Sequence, residues 1–195
     1  MIKTITIIAS AIMMFASCTS RQGAARAASA SDATAAGGHK VLVAYFSCTG
    51  TTEAVARKVA AATGGVLYRI TPKRPYTEAD LDWHNTASRS SVEMKDDASR
   101  PELAAHDAGV EKYDIVFLGY PIWWNLSPRI INSFLEAYDF KGKTVVPFAT
   151  SGGSSIDNSV SELRKLYGNG INWLDGRLLN SGGKDAEEWA ASCVD

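Results

Sequence analysis

Lys40-Val41-Leu42-Val43-Ala44-Tyr45-Phe46-Ser47-Cys48-Thr49-Gly50-Thr51-Thr52-Glu53-Ala54-Val55-Ala56-Arg57-Lys58-Val59-Ala60-Ala61-Ala62-Thr63 is the stretch whose reading decides the fold. Val41–Phe46 is a continuous apolar run, β-branched and aromatic, too short for a helix. It reads as a strand buried on both faces of a parallel sheet. From Glu53 the period changes: Val55, Val59 and Ala62 recur at helical spacing, Arg57 and Lys58 point outward, and Gly64-Gly65 stops the helix. Between strand and helix lie small residues, mostly hydroxylated, with one glycine. Such a loop can turn backbone N–H groups and hydroxyls around an anion at the helix N-terminus. The same residues also suit an ordinary capped helix start.

What the loop lacks narrows its ligand. There is no Gly-x-x-x-x-Gly-Lys-Ser/Thr, hence no lysine for a β/γ-phosphate and no Mg²⁺ hydroxyl of that kind. The Gly-x-Gly-x-x-Gly of dinucleotide binders is missing too. Cys48 invites comparison with a phosphatase nucleophile, but that chemistry needs a cation closing the loop, and the residue six positions on is Ala54. The remaining reading is a metal-free cradle for a terminal monophosphate.

Further along, Val66–Ile70 reads as a short edge strand interrupted by Arg69. Lys73–Lys112 is polar and longer than a simple crossover needs, so irregular chain with one helix near Leu81–Met94 is expected. Trp83, His84 and Arg89 in it can reach over a ligand. The plainer reading makes Arg89 and Glu93 a surface ion pair, with Trp83 packing the insert down. His84 has no neighbouring Cys or second His to make a metal site.

Tyr113–Gly119 is a second buried strand, followed by Tyr120-Pro121-Ile122-Trp123-Trp124-Asn125. Adjacent side chains of an extended segment point opposite ways, so at least one indole stays accessible. A planar aromatic ligand stacked on it accounts for the pair; a protein-contact patch is the alternative. Ser127-Pro128 then opens a helix, with Ser127 as cap and a buried stripe of Ile130, Ile131, Phe134, Leu135 and Tyr138. Lys143–Thr150 is the third buried strand, ending in Ser151-Gly152-Gly153-Ser154-Ser155, whose glycines allow close backbone approach. No Gly-x-Ser-x-Gly and no acid–histidine pair accompanies Ser151, which argues against a serine hydrolase. A helix from about Ser155 to Tyr167, an interrupted strand within Ile171–Leu179 and a helix over Lys184–Cys193 complete the chain. Strands alternating with helices give a doubly wound α/β sheet.

Ser47-Cys48-Thr49-Gly50-Thr51-Thr52 resembles the phosphate loop of the flavodoxin-like family, Ser/Thr-x-Thr-Gly-Asn-Thr, with Thr51 where that family favours Asn. Gly119–Asn125 resembles the loop that lies against its isoalloxazine, and Phe148–Gly153 the third ligand loop. The resemblance spans about residues 40–179. It implies a five-stranded parallel sheet in the order 2-1-3-4-5, the order of flavodoxin itself. It implies FMN as cofactor: phosphate on Ser47, Cys48, Thr49, Gly50, Thr51 and Thr52, ring between Pro121, Ile122, Trp123, Trp124 and Asn125 on one side and Thr150, Ser151, Gly152, Gly153 and Ser154 on the other. The backbone N–H groups of Ser151–Ser154 are then expected to meet the flavin pyrimidine. The flavin supplies the electron chemistry, so no protein acid or base is required.

Three functions follow as expectations. One is an electron carrier docking with a redox partner protein. A second is an FMN-dependent reductase of a quinone-like or other small acceptor, favoured by the lack of a second aromatic in Thr150–Ser155. The third, of another class, is a cofactor-free surface binding module.

The chain ends bear on where this happens. Lys3, the apolar run Ile5–Phe15 and Ala16-Ser17-Cys18 form a signal peptide over residues 1–17. Phe15-Ala16-Ser17-Cys18 resembles the bacterial lipobox, which implies lipidation of Cys18 and anchoring of the exported protein to a membrane. Residues 18–39, rich in Ala, Ser and Gly, read as a disordered tether to a domain over 40–195. Of 20 basic and 21 acidic side chains, Lys3, Arg21, Arg26 and Asp32 precede Lys40, leaving a net charge of −3 from there on. That is no surface for nucleic acid. Cys48 sits at the carboxyl edge of the sheet, while Ala186–Cys193 carries Cys193 about 12 Å away from it, so both are expected as free thiols.

Overall fold

The computed structural model describes residues 38–180 and 184–194; the expected signal peptide, Cys18 and nearly all of the tether lie outside them. β1 (Val41–Tyr45) is buried at every position because helices cover both its faces. Leu42, Ala44 and Phe46 join one apolar cluster; Val41, Val43 and Tyr45 join the other. That two-sided burial is why the sequence is continuously apolar rather than alternating.

The chain then alternates. α1 (Thr51–Thr63) ends at Gly64, and β2 (Val66–Arg69) pairs with β1 alone, at the sheet edge as its arginine predicts. The crossover holds α2 (Arg89–Lys95) between single 3-10 turns at Ala79–Leu81 and Val110–Lys112. β3 (Ile115–Pro121), α3 (Arg129–Ala137), β4 (Thr144–Thr150) and α4 (Asp157–Tyr167) follow. β5 (Asn172–Trp173), β6 (Arg177–Leu178) and α5 (Lys184–Ser192) close the chain. The parallel sheet runs β2-β1-β3-β4-β5, with β6 also beside β4. This is the doubly wound order expected. α1 and α5 pack on one face, and α3, α4 and the crossover on the other.

Several boundaries differ from expectation, each for a local reason. The crossover helix is shorter than Leu81–Met94. Asn85 and Ser88 donate their N–H groups to the carbonyls of Asp82 and Asn85, and Asn85 Oδ1 takes the N–H of Ala87. These turns hold the chain out of a helix until Ser88, whose hydroxyl caps α2 by accepting from Ser91 N–H at 3.3 Å. At α3 the cap position is Pro128, not Ser127, and no side chain caps it. The last strand splits into β5, opposite Thr144 and Val145, and β6, opposite Phe148 and Ala149. Val145 and Ala149 accept there from Leu174 and Leu179. The break falls opposite Pro147, which turns the same way and has no N–H to offer. Cys48 and Cys193 are free thiols, as expected. Among the described residues no helix is long and apolar enough to cross a membrane.

Candidate functional site

The carboxyl ends of β1, β3 and β4 open onto one cleft of about 960 Å³. Its first wall is the loop after β1. Gly50 stands at the N-cap of α1 with φ +88°, a left-handed conformation that favours glycine, and its N–H donates to Ser47 Oγ at 3.1 Å. That turn folds the loop back so that Thr51 and Thr52, first-turn residues of α1 whose N–H groups have no carbonyl of their own helix to meet, line the cleft. Buried Thr52 and Thr150 share a hydroxyl–hydroxyl bond of 2.8 Å, tying the loop to the end of β4. From outside, Arg69 Nη2 donates to Ser47 O at 3.1 Å and Nη1 lies 3.5 Å from Glu53 Oε2. Arg69 faces a smaller pocket of about 260 Å³ on the other side of the loop, which also touches Cys48 and Tyr76.

Cys48 lies between the two. Burial pushes its thiol up to about 11, and the opposing pull of Arg69 and Arg89 does not cancel it. The thiol therefore keeps its proton near neutral pH and is a poor nucleophile, in keeping with the missing cation at Ala54.

The second wall follows β3. Ile122 N–H donates to Thr150 O at 2.8 Å, and Trp123 and Leu126 exchange backbone bonds of 2.9 Å each. The two residues between them, Trp124 (φ 45°) and Asn125 (φ 65°), are both left-handed, which makes a tight primed turn out of residues that resist it. The turn splits the indoles. Trp123 is half-buried, edge-on to Phe46 at 5.7 Å and to Tyr76 at 5.4 Å. Trp124 is 47% exposed. One indole is packing and the other is free.

In the third wall Ser151 organises the backbone. Its N–H donates to Asn180 Oδ1 at 2.7 Å, and its hydroxyl accepts from Gly153 and Ser154 N–H at 3.1 and 2.8 Å. The amides expected to face a ring are thus mostly engaged inside the loop, leaving that of Gly152.

Of the residues expected from sequence, Ser47, Cys48, Thr49, Thr51, Thr52, Pro121–Trp124 and Thr150–Ser154 line the cleft together. Gly50 and Asn125 do not. Gly50 shapes the loop through its backbone, and Asn125 holds the turn by accepting from Asn158 Nδ2 at 3.1 Å. Leu81, Ser90 and Asn180 line it without having been expected, and Trp83 takes the ligand-facing alternative. At 66% exposure Trp83 does not pack the insert down. His84 does not line the cleft; its ring lies 3.5 Å, centroid to centroid, from that of Trp83. The insert is held instead by Arg89 and Glu93, which are not a surface pair: their side chains are 13% and 12% exposed, 2.6 Å apart. Glu93 also accepts from Tyr76 OH at 2.5 Å, and Arg89 lies over the Tyr76 ring at 4.0 Å. Burial, reinforced by that bond to Glu93, raises the Tyr76 phenol well above its ordinary range.

Chemically, the described lining is uncharged throughout: hydroxyls, one thiol, one side-chain amide, backbone, aliphatic carbon and indole. It can hold an anion by amides and hydroxyls at one end and a flat apolar group at the other.

A family model described as Flavodoxin matches residues 40–192. The chain is 56% identical to each of two crystal structures provisionally described as flavoproteins. That from Bacteroides uniformis has a TM-score of 0.75 and covers 77% of this chain and 97% of its own. That from Bacteroides eggerthii, also at 0.75, covers 80% and 96%. A flavoprotein from Lactobacillus acidophilus in complex with FMN shares the fold at 21% identity and a TM-score of 0.63, over 79% of this chain and 99% of its own. No curated protein matches.

Proposed function

The chain belongs to the flavodoxin family over residues 40–192, and from that premise we propose that it is an FMN-binding redox protein carrying electrons through a non-covalently held flavin. The observation that carries this reading is the meeting of an uncharged hydroxyl-and-amide loop at the N-terminus of α1 with an exposed indole, in one cleft. The Lactobacillus acidophilus protein of the same fold holds FMN.

The residues fit that cofactor. A cleft of about 960 Å³ is at the upper end for a bound small molecule. Ser47–Thr52 would take the phosphate through first-turn amides and the Thr49 and Thr51 hydroxyls, which lie 3.3 Å apart at the exposed lip. Trp124 would lie against the ring, and the Gly152 amide would remain for its polar edge. When bound, the flavin supplies one- or two-electron chemistry; the chain binds it, orients it and sets its surroundings.

A second reading, an FMN-dependent reductase of a quinone-like acceptor, is favoured by the loop after β4, which presents no aromatic side chain to cover a ring. The cofactor-free binding module is the outcome the experiment must eliminate. Apo-protein titrated with FMN is expected to turn yellow, quench flavin emission and saturate at one flavin per chain. A colourless protein indifferent to FMN would refute the proposal.

We also propose, from the N-terminal sequence, that residues 1–17 are removed, that Cys18 is lipidated, and that residues 18–39 tether the domain over 40–195 to a bacterial membrane. The intact mass of protein extracted from membranes should start at Cys18 with added acyl mass, and C18S should leave the membrane fraction. An unmodified Cys18 would overturn the anchor.

A further inference from the structure

The loop after β1 leans on a side chain that does not line the cleft. Arg69, the last residue of edge strand β2, lines the smaller pocket of about 260 Å³ behind the loop instead. Its Nη2 donates to Ser47 O at 3.1 Å, so the Ser47 carbonyl points away from the cleft. A trans peptide unit is planar and sets its C=O and its N–H on opposite sides. The N–H of this unit belongs to Cys48, and it therefore turns towards the cleft, which Ser47 and Cys48 both line. Ser47 itself is 3% exposed, and its hydroxyl is committed to the turn by the N–H of Gly50 at 3.1 Å. The same peptide flipped over would present a carbonyl oxygen to an anion. Its direction, fixed from behind, decides whether the loop offers a donor or an acceptor at that point.

Charge points the same way. Glu53 stands in the first turn of α1, three residues past Gly50, where a carboxylate favours the helix but competes with any bound anion. Two guanidiniums meet it: Arg57 Nη2 lies 2.6 Å from Oε1, and Arg69 Nη1 lies 3.5 Å from Oε2. The bond from Arg57, helped by the charge of both arginines, holds the Glu53 carboxyl below its usual range. Arg57 alone would bring the pair to neutrality; Arg69 gives the cluster one positive charge in excess. We propose that Arg69 is a positioning residue for phosphate recognition: from behind the loop it turns the Cys48 N–H into the cleft and outweighs Glu53, selecting a phosphorylated flavin over an unphosphorylated one without touching either. This inference rests on the FMN reading and adds to it a residue outside the cleft on which the preference depends.

The test titrates ¹⁵N-labelled apo-protein with FMN and with riboflavin. In the parent, the Cys48 amide proton should move further downfield with FMN than with riboflavin, as an amide donating to a phosphate does. R69A should weaken FMN about tenfold and riboflavin less than about twofold, and should lose the extra Cys48 shift. R69K, whose single ammonium cannot span Ser47 O and Glu53 together, should recover part of the FMN affinity. An R69A protein that keeps the full preference for FMN overturns the role. So does one that loses both flavins equally, because Arg69 would then merely support the fold. A Cys48 amide that responds alike to the two flavins overturns it as well. A parent protein that binds FMN no more tightly than riboflavin refutes the phosphate reading and the role of Arg69 with it; a parent that prefers FMN, with R69A unchanged, refutes the role of Arg69 alone.

Discussion

The strand-end loops and the 71–112 crossover line the same cleft, but they are held there by different bonds. Ser47–Thr52 and Thr150–Ser154 continue strands whose residues are almost wholly buried, and the Thr52–Thr150 hydroxyl pair at 2.8 Å locks one to the other. Within the crossover, two backbone bonds join distant parts of the chain, Lys73 N–H to Glu102 O and Ala104 N–H to Thr71 O; the others close local turns. Side chains add Arg89–Glu93, Tyr76–Glu93 and Arg89 Nη1 on Arg74 O at 2.7 Å within it, and Arg129 Nη2 on Met94 O at 3.3 Å and Arg100 Nε on Glu136 Oε1 at 2.8 Å between it and α3. A sheet ladder positions the strand-end loops, whereas side-chain bonds, among them the largely buried Arg89–Glu93–Tyr76 cluster, position the outer wall. The two should therefore fail separately.

The largest expected effect tests the cofactor side. Thr49→Glu puts a carboxylate at the exposed lip of the phosphate loop; at about 4 Å from a phosphate charge it costs about 4 kcal/mol at the dielectric of a protein surface, roughly a thousandfold in FMN affinity. Calorimetric titration should show that loss with no change in thermal midpoint. Unchanged affinity would place the phosphate elsewhere.

Glu93→Ala tests the other side. It strands the Arg89 guanidinium and the Tyr76 hydroxyl, costing about 3 kcal/mol. Limited proteolysis should then cut within residues 73–112 first, while FMN affinity stays within about threefold. Equal loosening of wall and loop would mean that the two regions are one cooperative unit.

Cys48 sits on the border between them and supplies a pH test. The native chain keeps the Cys48 proton up to about 11, above the value of about 9 for an unperturbed thiol. Its contribution to stability is therefore complete below pH 9 and declines as pH rises towards 11, because the unfolded chain gives up the proton first. Urea midpoints should fall between pH 8 and 10.5 and recover in Cys48→Ala. Alkylation of Cys48 at pH 8 should run about a hundredfold slower than that of a free thiol.

The smallest effect separates the paired indoles. Trp124→Ala removes an exposed ring and a left-handed tryptophan, so FMN affinity should drop about three- to tenfold with no loss of stability. Trp123→Ala instead takes a ring from Phe46 and Tyr76 and should cost stability, about 2 kcal/mol for a half-buried indole. A reversal of the two results would exchange their roles.

The same division explains what was legible in the sequence. β1, β3 and β4 announce themselves because burial on both faces demands unbroken apolar runs, and the ligand loops follow from being the small or aromatic residues at their ends. Gly50 and Asn125 belong to the loops expected but stand outside the cleft lining, because sequence does not show which backbone group turns inward. The crossover was opaque because its supports are far apart in the chain. Tyr76 meets Glu93, and Arg100 meets Glu136 at 2.8 Å, 36 residues on. No periodicity marks such pairs, so Leu81 and Ser90 carried no signal at all. Trp83 carried a weak one: a large aromatic in a polar stretch whose apolar neighbours at helical spacing are only Ala79 and Ala87. Asn180 was hidden for a like reason, being placed by its bond to Ser151 rather than by any motif.

The proposed cofactor role rests on an uncharged loop of amides and hydroxyls holding the phosphate of a flavin. Comparing FMN with riboflavin isolates it, since the two differ only in that group. Calorimetric titration of the same apo-protein should show FMN binding at least about a hundredfold more tightly than riboflavin, the value of two or so charge-assisted hydrogen bonds. Equal affinities for the two flavins would mean that the loop after β1 grips no phosphate.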